Sequence, residues 1–145
     1  MAAGGSNRRT KGQAEKLVFT YNLEKQCREV EAAILDAVQR HGFTEKSYFA
    51  IHVALDEALI NAVKHGNKRD PAKKVLVEAN VSDECAEIFI EDEGPGFNRA
   101  GVPDPTLEEN LEKCSGRGIL LMESYMDSVS WDRDGRRVRL VKENV

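Results

Sequence analysis

Two consecutive segments in the first half of the chain carry apolar residues at helical spacing. In the first segment the pattern stops at His41-Gly42, which predicts a helix with one buried face and a glycine at its end. The second segment is apolar around most of its circumference, which predicts a largely buried helix capped by Thr44 and running to Gly66. The residues concerned are Leu23, Cys27, Val30, Ile34 and Val38 in the first segment, and Phe49, Ile51, Leu55, Leu59, Ile60 and Val63 in the second.

Alternating apolar and polar positions predict the strands. Residues 16–21 fit one strand, and residues 75–81 and 88–90 fit two more, joined by a turn near residues 82–84. Residues 128–131 and 137–141 flank Asp134-Gly135, a strong hairpin signal. Residues 97–114 read as a loop with a short helix at 106–112, placed where a nucleotide lid or a plain connection would lie.

Composition favours one domain. The chain has 145 residues, of which 41% are hydrophobic, enough to bury a core over residues 15–145. Residues 1–14 are rich in Gly, Ser, Ala and basic residues and read as a mobile tail.

The formal net charge of −4 disfavours direct binding to nucleic acid or to an anionic membrane and favours protein partners. There is no run of ~20 apolar residues to span a membrane, and the N-terminus lacks the apolar segment of a signal peptide. Three widely spaced cysteines, without CxxC pairs, indicate neither a zinc site nor a disulfide framework. We therefore expect a cytoplasmic protein.

Glu57 and Asn61 stand four residues apart on the second predicted helix and so share one helical face. Burying both would require partners. A hydrated Mg²⁺ with phosphates suits an Asn oxygen, and a neighbouring carboxylate is placed to accept a proton. Taken alone, so short a motif is better explained by an ordinary surface Glu and a helical Asn bonded to its neighbours.

Asp92 follows the strand at residues 88–90 with the parity of its apolar residues, so it points to the core side where the strand ends. A buried carboxylate there can accept a hydrogen bond from an exocyclic amine such as that of adenine. Gly94 and Gly96 bracket Pro95 and permit close approach of a ligand to the backbone. An ordinary turn explains the same residues equally well.

Gly116 and Gly118 lead into an apolar-periodic run, which predicts a helix N-terminus able to attract phosphate. Lys113 and Arg117 add positive charge beside it. A Gly-x-Gly alone proves little, so the order of the three motifs along the chain carries the weight.

With these three motifs in order, the chain resembles the GHKL superfamily of ATP-binding domains and, within it, the stand-alone anti-sigma-factor serine/threonine protein kinases. The N-box of that superfamily matches Asp56, Glu57, Asn61 and His65-Gly66-Asn67, the first glycine box matches Asp92, Gly94 and Gly96, and the second matches Gly116 and Gly118, continuing through residues 122–127. The resemblance covers residues 15–142. It implies a Bergerat-type α/β fold, an α+β two-layer sandwich whose mixed, mostly antiparallel sheet is covered by helices on one face.

The resemblance also implies the chemistry. ATP and Mg²⁺ are the expected cofactors, with Asn61 on the metal, Asp92 on adenine, the glycines around the phosphates, and Glu57 as the base toward a protein serine hydroxyl. The expected partners are an anti-sigma-factor antagonist, as substrate, and a sigma factor. We also expect a homodimer.

Two departures from the family pattern bear on the site. Arg117 stands where many relatives have a smaller or apolar residue, and its side chain either reaches the γ-phosphate or lies in solvent. Many relatives also carry a Thr near the last strand that assists at adenine, where this chain reads Gly135-Arg136-Arg137.

His65 is explained by a structural role at a helix C-terminus.

Two alternatives to a kinase remain. A pure binding module could use ATP as a structural switch, but it needs the metal ligand and not the base, so Glu57 favours the kinase. A detached histidine-kinase ATPase module is disfavoured by the residues around His65 and at 122–127.

Overall fold

The computed structural model describes residues 13–95 and 116–145. The elements in chain order are β1 (Glu15–Tyr21), a 3-10 turn (Glu24–Gln26), α1 (Cys27–Arg40), α2 (Glu45–Asn61), a π-helical segment (Ala62–Gly66), β2 (Val75–Val81), β3 (Cys85–Glu91), α3 (Gly116–Tyr125), β4 (Ser128–Asp132) and β5 (Arg137–Glu143). Most of the predicted tail, the predicted lid at 97–114 with its short helix, and the site candidates Gly96 and Lys113 lie outside the described residues.

The five described strands form one sheet in the order β1-β2-β3-β5-β4, and each pairing is antiparallel. The predicted strands and both hairpins are confirmed. In the β4–β5 hairpin, Arg133, Asp134 and Gly135 all have positive φ, as a tight turn of this hand requires. The turn places Arg136 immediately before β5, beside Asp92, the residue that follows β3.

The three helices pack on one face of the sheet, which confirms the α+β two-layer sandwich. Alternate strand residues are buried beneath them, among them Leu17, Val77, Ala79, Ile88, Ile90, Val138 and Leu140. No helix in the described residues covers the opposite face, where the Arg137 guanidinium lies 4.8 Å from the centre of the Phe89 ring. The described helices include none that is both long and apolar enough to cross a membrane.

The second predicted helix is confirmed, with two corrections. Thr44 caps it by accepting a hydrogen bond from the Ser47 amide at 3.1 Å, but the α-helix ends at Asn61 and a π-helical turn completes the path to Gly66. The expectation that Phe49 is buried was wrong. Phe49 is 54% exposed and lies outside the core, where it packs edge-to-face on Tyr125 of α3 with 5.7 Å between ring centres.

The start of α1 also differs from the prediction. Leu23, expected on the apolar face of that helix, precedes the 3-10 turn and is 38% exposed, because α1 begins only at Cys27. Cys27 is buried, as predicted for a core residue. At the other end of the helix, buried His41 places its ring nitrogens 3.1 Å from a Glu15 oxygen and 2.8 Å from an Asp83 oxygen, so it ties β1 to the β2–β3 turn.

Candidate nucleotide-binding site

A cavity lies between α2, its π-helical extension and the ends of β3, β4 and β5. Its space, counted out to the open mouth, is about 580 Å³. The walls include one apolar residue from each of six elements: Ala58, Ala62, Ile90, Met122, Trp131 and Val138. Two of the predicted site residues, Asn61 and Asp92, line the same cavity. The structure therefore brings together residues from the first two motifs.

Asn61 is the last residue of α2 and is 8% exposed. Immediately after it the backbone changes to π-helical spacing, with the Asn67 amide donating to the Ala62 carbonyl at 2.9 Å. Such π segments within helices often mark functional sites because they reorient side chains at the cost of regular hydrogen bonding. Here the segment carries His65 and Gly66 to the cavity wall. The expected structural role of His65 therefore has to include lining this cavity.

Glu57 lies one helical turn before Asn61, half-buried and outside the cavity lining. Burial raises the pKa of its carboxyl, the nearby Asp56 charge raises it further, and the Lys64 charge opposes both. A carboxylate whose pKa is raised is a stronger proton acceptor. The structure therefore places Glu57 one helical turn from Asn61, outside the cavity lining, with a carboxyl pKa raised above its usual range.

Asp92 occupies the first position after β3. Its amide donates to the Arg136 carbonyl at 2.9 Å, and its Oδ1 accepts from the Gly94 amide at 2.8 Å. Burial raises the pKa of this carboxyl to about 6, opposed by the Gly94 hydrogen bond and by the Arg136 charge. Because desolvation dominates, the carboxylate is costly to ionise in the free protein and gains from a hydrogen-bond donor.

Two glycines make room for Asp92. A Cβ at Gly66 would overlap the Asp92 carboxylate, and a Cβ at Gly94 would overlap the Gly66 carbonyl oxygen. The backbone of the N-box and the loop after β3 are thus in direct contact, which only glycine permits at both positions. Gly94, predicted as a site residue, makes this contact and donates its amide to the Asp92 carboxylate.

The third motif is described only in part. Gly118 is buried in α3, and Met122, one turn further, lines the cavity. Gly116 is the first described residue of α3, so the predicted helix N-terminus stays a prediction. The side chain of Arg117 lies outside the described residues, so its role toward phosphate stays a prediction.

Sequence reasoning gave no individual site role to four residues that line the cavity or contact its walls. They are Asn67, named only within the N-box match, and Lys68, Trp131 and Arg136. Trp131 shares strand parity with Val129, so its inward direction was available from the alternation pattern. Arg136 stands in the region where many relatives carry the assisting Thr, and it meets Asp92 through its backbone carbonyl. Lys68 has a positive φ of 53°, and no sequence signal marks a lysine for that conformation.

The cavity fits a purine nucleotide. Apolar walls would enclose a flat base, the Asp92 carboxylate offers an acceptor at the edge, and the missing Cβ atoms leave space for close approach. Within the described ranges, no group of three or more His, Cys, Asp or Glu side chains could hold a metal ion. Asn61 offers a side-chain oxygen that would suit an Mg²⁺ held mainly by phosphate oxygens. Together, sheet, helices and cavity define a nucleotide-binding domain of the Bergerat type.

Comparison with known proteins assigns the family. The model of the histidine kinase-like ATPase domain matches residues 19–142, and the chain belongs to that family of ATP-binding domains. This confirms the GHKL resemblance drawn from the three motifs.

Relatives extend the similarity to anti-sigma factors. The chain is 38% identical over 82 residues to an anti-sigma F factor of Clostridium perfringens, covering 54% of this chain and 58% of that protein. It is 35% identical over 98 residues to the anti-sigma F factor of Bacillus subtilis, covering 63% and 66% respectively. The aligned part thus spans less than two thirds of each of these relatives.

Proposed function

We propose that this chain is an ATP-dependent serine/threonine protein kinase that acts as an anti-sigma factor. The observation that carries the proposal is the placement of Asn61 and Asp92 on one cavity with Glu57 one helical turn away. The similarity to anti-sigma F factors supports a sigma factor and its antagonist as the protein partners. A homodimer belongs to the same proposal.

Each of the three residues has a separate task. Asp92 accepts a hydrogen bond from the exocyclic amine of adenine, which selects ATP. Asn61 supplies its side-chain oxygen to Mg²⁺, the ion that neutralises phosphate charge. Glu57 receives the proton of a serine hydroxyl on the antagonist as that oxygen forms its bond to the γ-phosphorus. The bond from the γ-phosphorus to the bridging oxygen breaks, and ADP leaves with the electron pair.

A binding module without transfer is the second candidate. Its support is that Glu57 lies outside the cavity lining, so nucleotide could be held without engaging it. The raised pKa of Glu57 supports the kinase, because a bound-nucleotide switch has no need of a stronger proton acceptor.

The decisive experiment is single-turnover transfer from γ-labelled ATP with Mg²⁺ to candidate antagonist proteins. In parallel, binding to candidate sigma factors is measured with ATP or ADP present. A kinase labels an antagonist on serine or threonine. A chain that binds a sigma factor in the presence of ATP, yet labels no antagonist, is a binding module and overturns the kinase proposal.

A further inference from the structure

Asn67 connects the N-box to the loop that carries Asp92. It is 1% exposed, although it lies past the last helical residue in a connecting segment. Its Oδ1 accepts a hydrogen bond from the Glu93 amide at 2.7 Å, and its Nδ2 donates to the Lys74 carbonyl at 3.1 Å. One buried side chain therefore joins three separate backbone segments.

Neighbouring interactions hold Asn67 itself in place. Its amide closes the π-helical turn on Ala62, and its carbonyl accepts from the Asp70 amide at 3.0 Å. The next two residues, Lys68 and Arg69, both have left-handed φ angles, 53° and 58°. Non-glycine residues adopt this conformation at a cost, so the surrounding hydrogen bonds must impose it. The position of Asn67 is thus fixed by the backbone on both sides.

The bond to Glu93 completes a series of three consecutive anchored amides. The Asp92 amide donates to Arg136, the Glu93 amide to Asn67, and the Gly94 amide to the Asp92 carboxylate. Of the three anchors, only Asn67 belongs to the N-box side of the cavity. Its hydrogen bond therefore ties the loop that carries Asp92 to the segment that follows Gly66, against whose backbone the Asp92 carboxylate packs.

We propose that Asn67 is a positioning residue for base selection: its hydrogen bond to the Glu93 amide fixes the Asp92 carboxylate against Gly66 and thereby sets the preference for adenine over guanine nucleotides. The inference rests on the proposed role of Asp92 at adenine. It adds a residue that never contacts the base. A residue that merely staples two loops would change stability and would weaken both nucleotides equally, so the ratio of the two affinities separates the two roles.

The test compares ATP and GTP affinities by calorimetry for wild type and three variants. Asn67→Ala removes both side-chain bonds and should lower the preference for ATP by about tenfold, which corresponds to loss of one directed hydrogen bond. Asn67→Asp keeps an acceptor for the Glu93 amide and should retain most of the preference. The matched control is Asn22→Ala, which removes a hydrogen bond to the Pro71 carbonyl in the same connecting segment without contacting the Asp92 loop.

An unchanged preference in Asn67→Ala, or an equal loss in Asn67→Asp and Asn67→Ala, overturns the inference. Asp92→Ala is measured alongside. If wild type prefers ATP over GTP, and Asp92→Ala abolishes this preference while Asn67→Ala keeps it, the inference about Asn67 fails and the role of Asp92 stands. If wild type binds ATP and GTP equally, the adenine role of Asp92 fails as well.

Hydrogen exchange of the wild-type chain tests the inference without a variant that must fold. The Glu93 amide lies beyond the end of β3, yet it should be protected because its partner is a buried side chain. Exchange at the rate of an unstructured peptide would show that the bond does not persist, and would overturn the proposal.

Discussion

The Gly66 backbone is in contact with the side-chain carboxylate of Asp92, so closely that a single added methyl group at Gly66 would overlap it. The two residues come from different sequence motifs, one at the end of a helix and one after a strand. Their contact makes the N-box backbone part of the surface that orients the carboxylate. A change at Gly66 should therefore act on nucleotide binding, although glycine has no side chain to offer a ligand.

Gly66→Ala should displace the Asp92 carboxylate and weaken ATP binding about tenfold or more, or about 1.4 kcal/mol. The control is Gly42→Ala. Gly42 has a φ of 76° and no atom within 4 Å of an added Cβ, so alanine there costs about 1 kcal/mol of stability through backbone strain alone. Calorimetric titration with ATP and urea unfolding of both variants would check this. Equal ATP affinities in the two variants would contradict it.

The pKa of Asp92 makes a prediction about pH. Burial raises it from 3.8 to about 6, so the native carboxyl binds its proton more tightly than the unfolded chain does. Its contribution to stability is full below about pH 4 and is lost as the pH rises through about 6. Urea unfolding should show a fall in stability across this range that Asp92→Asn lacks.

ATP binding should depend on pH in the opposite direction. Because an ionised carboxylate accepts a stronger hydrogen bond from the adenine amine than a protonated carboxyl does, wild-type affinity should fall below about pH 6 relative to Asp92→Asn at the same pH. Comparison at equal pH cancels the titration of the nucleotide phosphates. Parallel pH profiles for the two proteins would show that Asp92 does not titrate in contact with the base.

Periodicity was sufficient to predict the helices and strands because each element buries one face. Val77 and Ile88 alternate with polar neighbours, and the structure buries both. The prediction that Phe49 is buried was wrong for a physical reason. The apolar circumference of α2 exceeds what the sheet covers, and α3 contacts Phe49 at its edge through Tyr125. The hydrophobic pattern of α2 alone does not show how far the neighbouring helix α3 covers it.

Site residues could be predicted where the chemistry of the ligand restricts the residue type. They could not be predicted where the role of a residue depends on contacts between segments that are distant in the sequence. Asp92 and Asn61 were found because few residues provide an acceptor at a strand end or an amide oxygen on a buried helix face. Asn67 was quoted as part of a motif, but its role depends on the approach of Glu93, 26 residues later. The π-helical turn that enables this approach has no recognised sequence signal.

Asn61→Ala should remove the effect of Mg²⁺ on ATP affinity while sparing metal-free binding. The carboxamide is the proposed protein ligand, and the phosphates supply most of the other oxygens. Asn61 is 8% exposed, so Asn61→Asp is the variant to pair with it, since it retains an oxygen ligand at similar volume. Titrations with and without Mg²⁺ would check this. If adding Mg²⁺ raises the ATP affinity of Asn61→Ala as much as it raises that of wild type, the metal is held by another group.

Glu57 and Asp56 offer a matched pair for the catalytic base. Successive helical residues differ by about 100° in direction, so Asp56 faces away from Asn61, and it is exposed. Glu57→Gln should retain ATP and Mg²⁺ binding while the rate of phosphoryl transfer falls by about 10² to 10⁴. Asp56→Asn should keep the maximal rate.

Asp56→Asn should nevertheless alter the pH dependence of transfer. The Asp56 charge raises the pKa of Glu57, so its removal should lower that pKa and move the acidic limb of the pH–rate profile to lower pH. A base must be ionised to accept a proton, which makes this limb report on Glu57. Single-turnover rates between about pH 5 and 8 would measure it. Transfer by Glu57→Gln at the wild-type rate, or an unmoved limb in Asp56→Asn, would assign the base to another group.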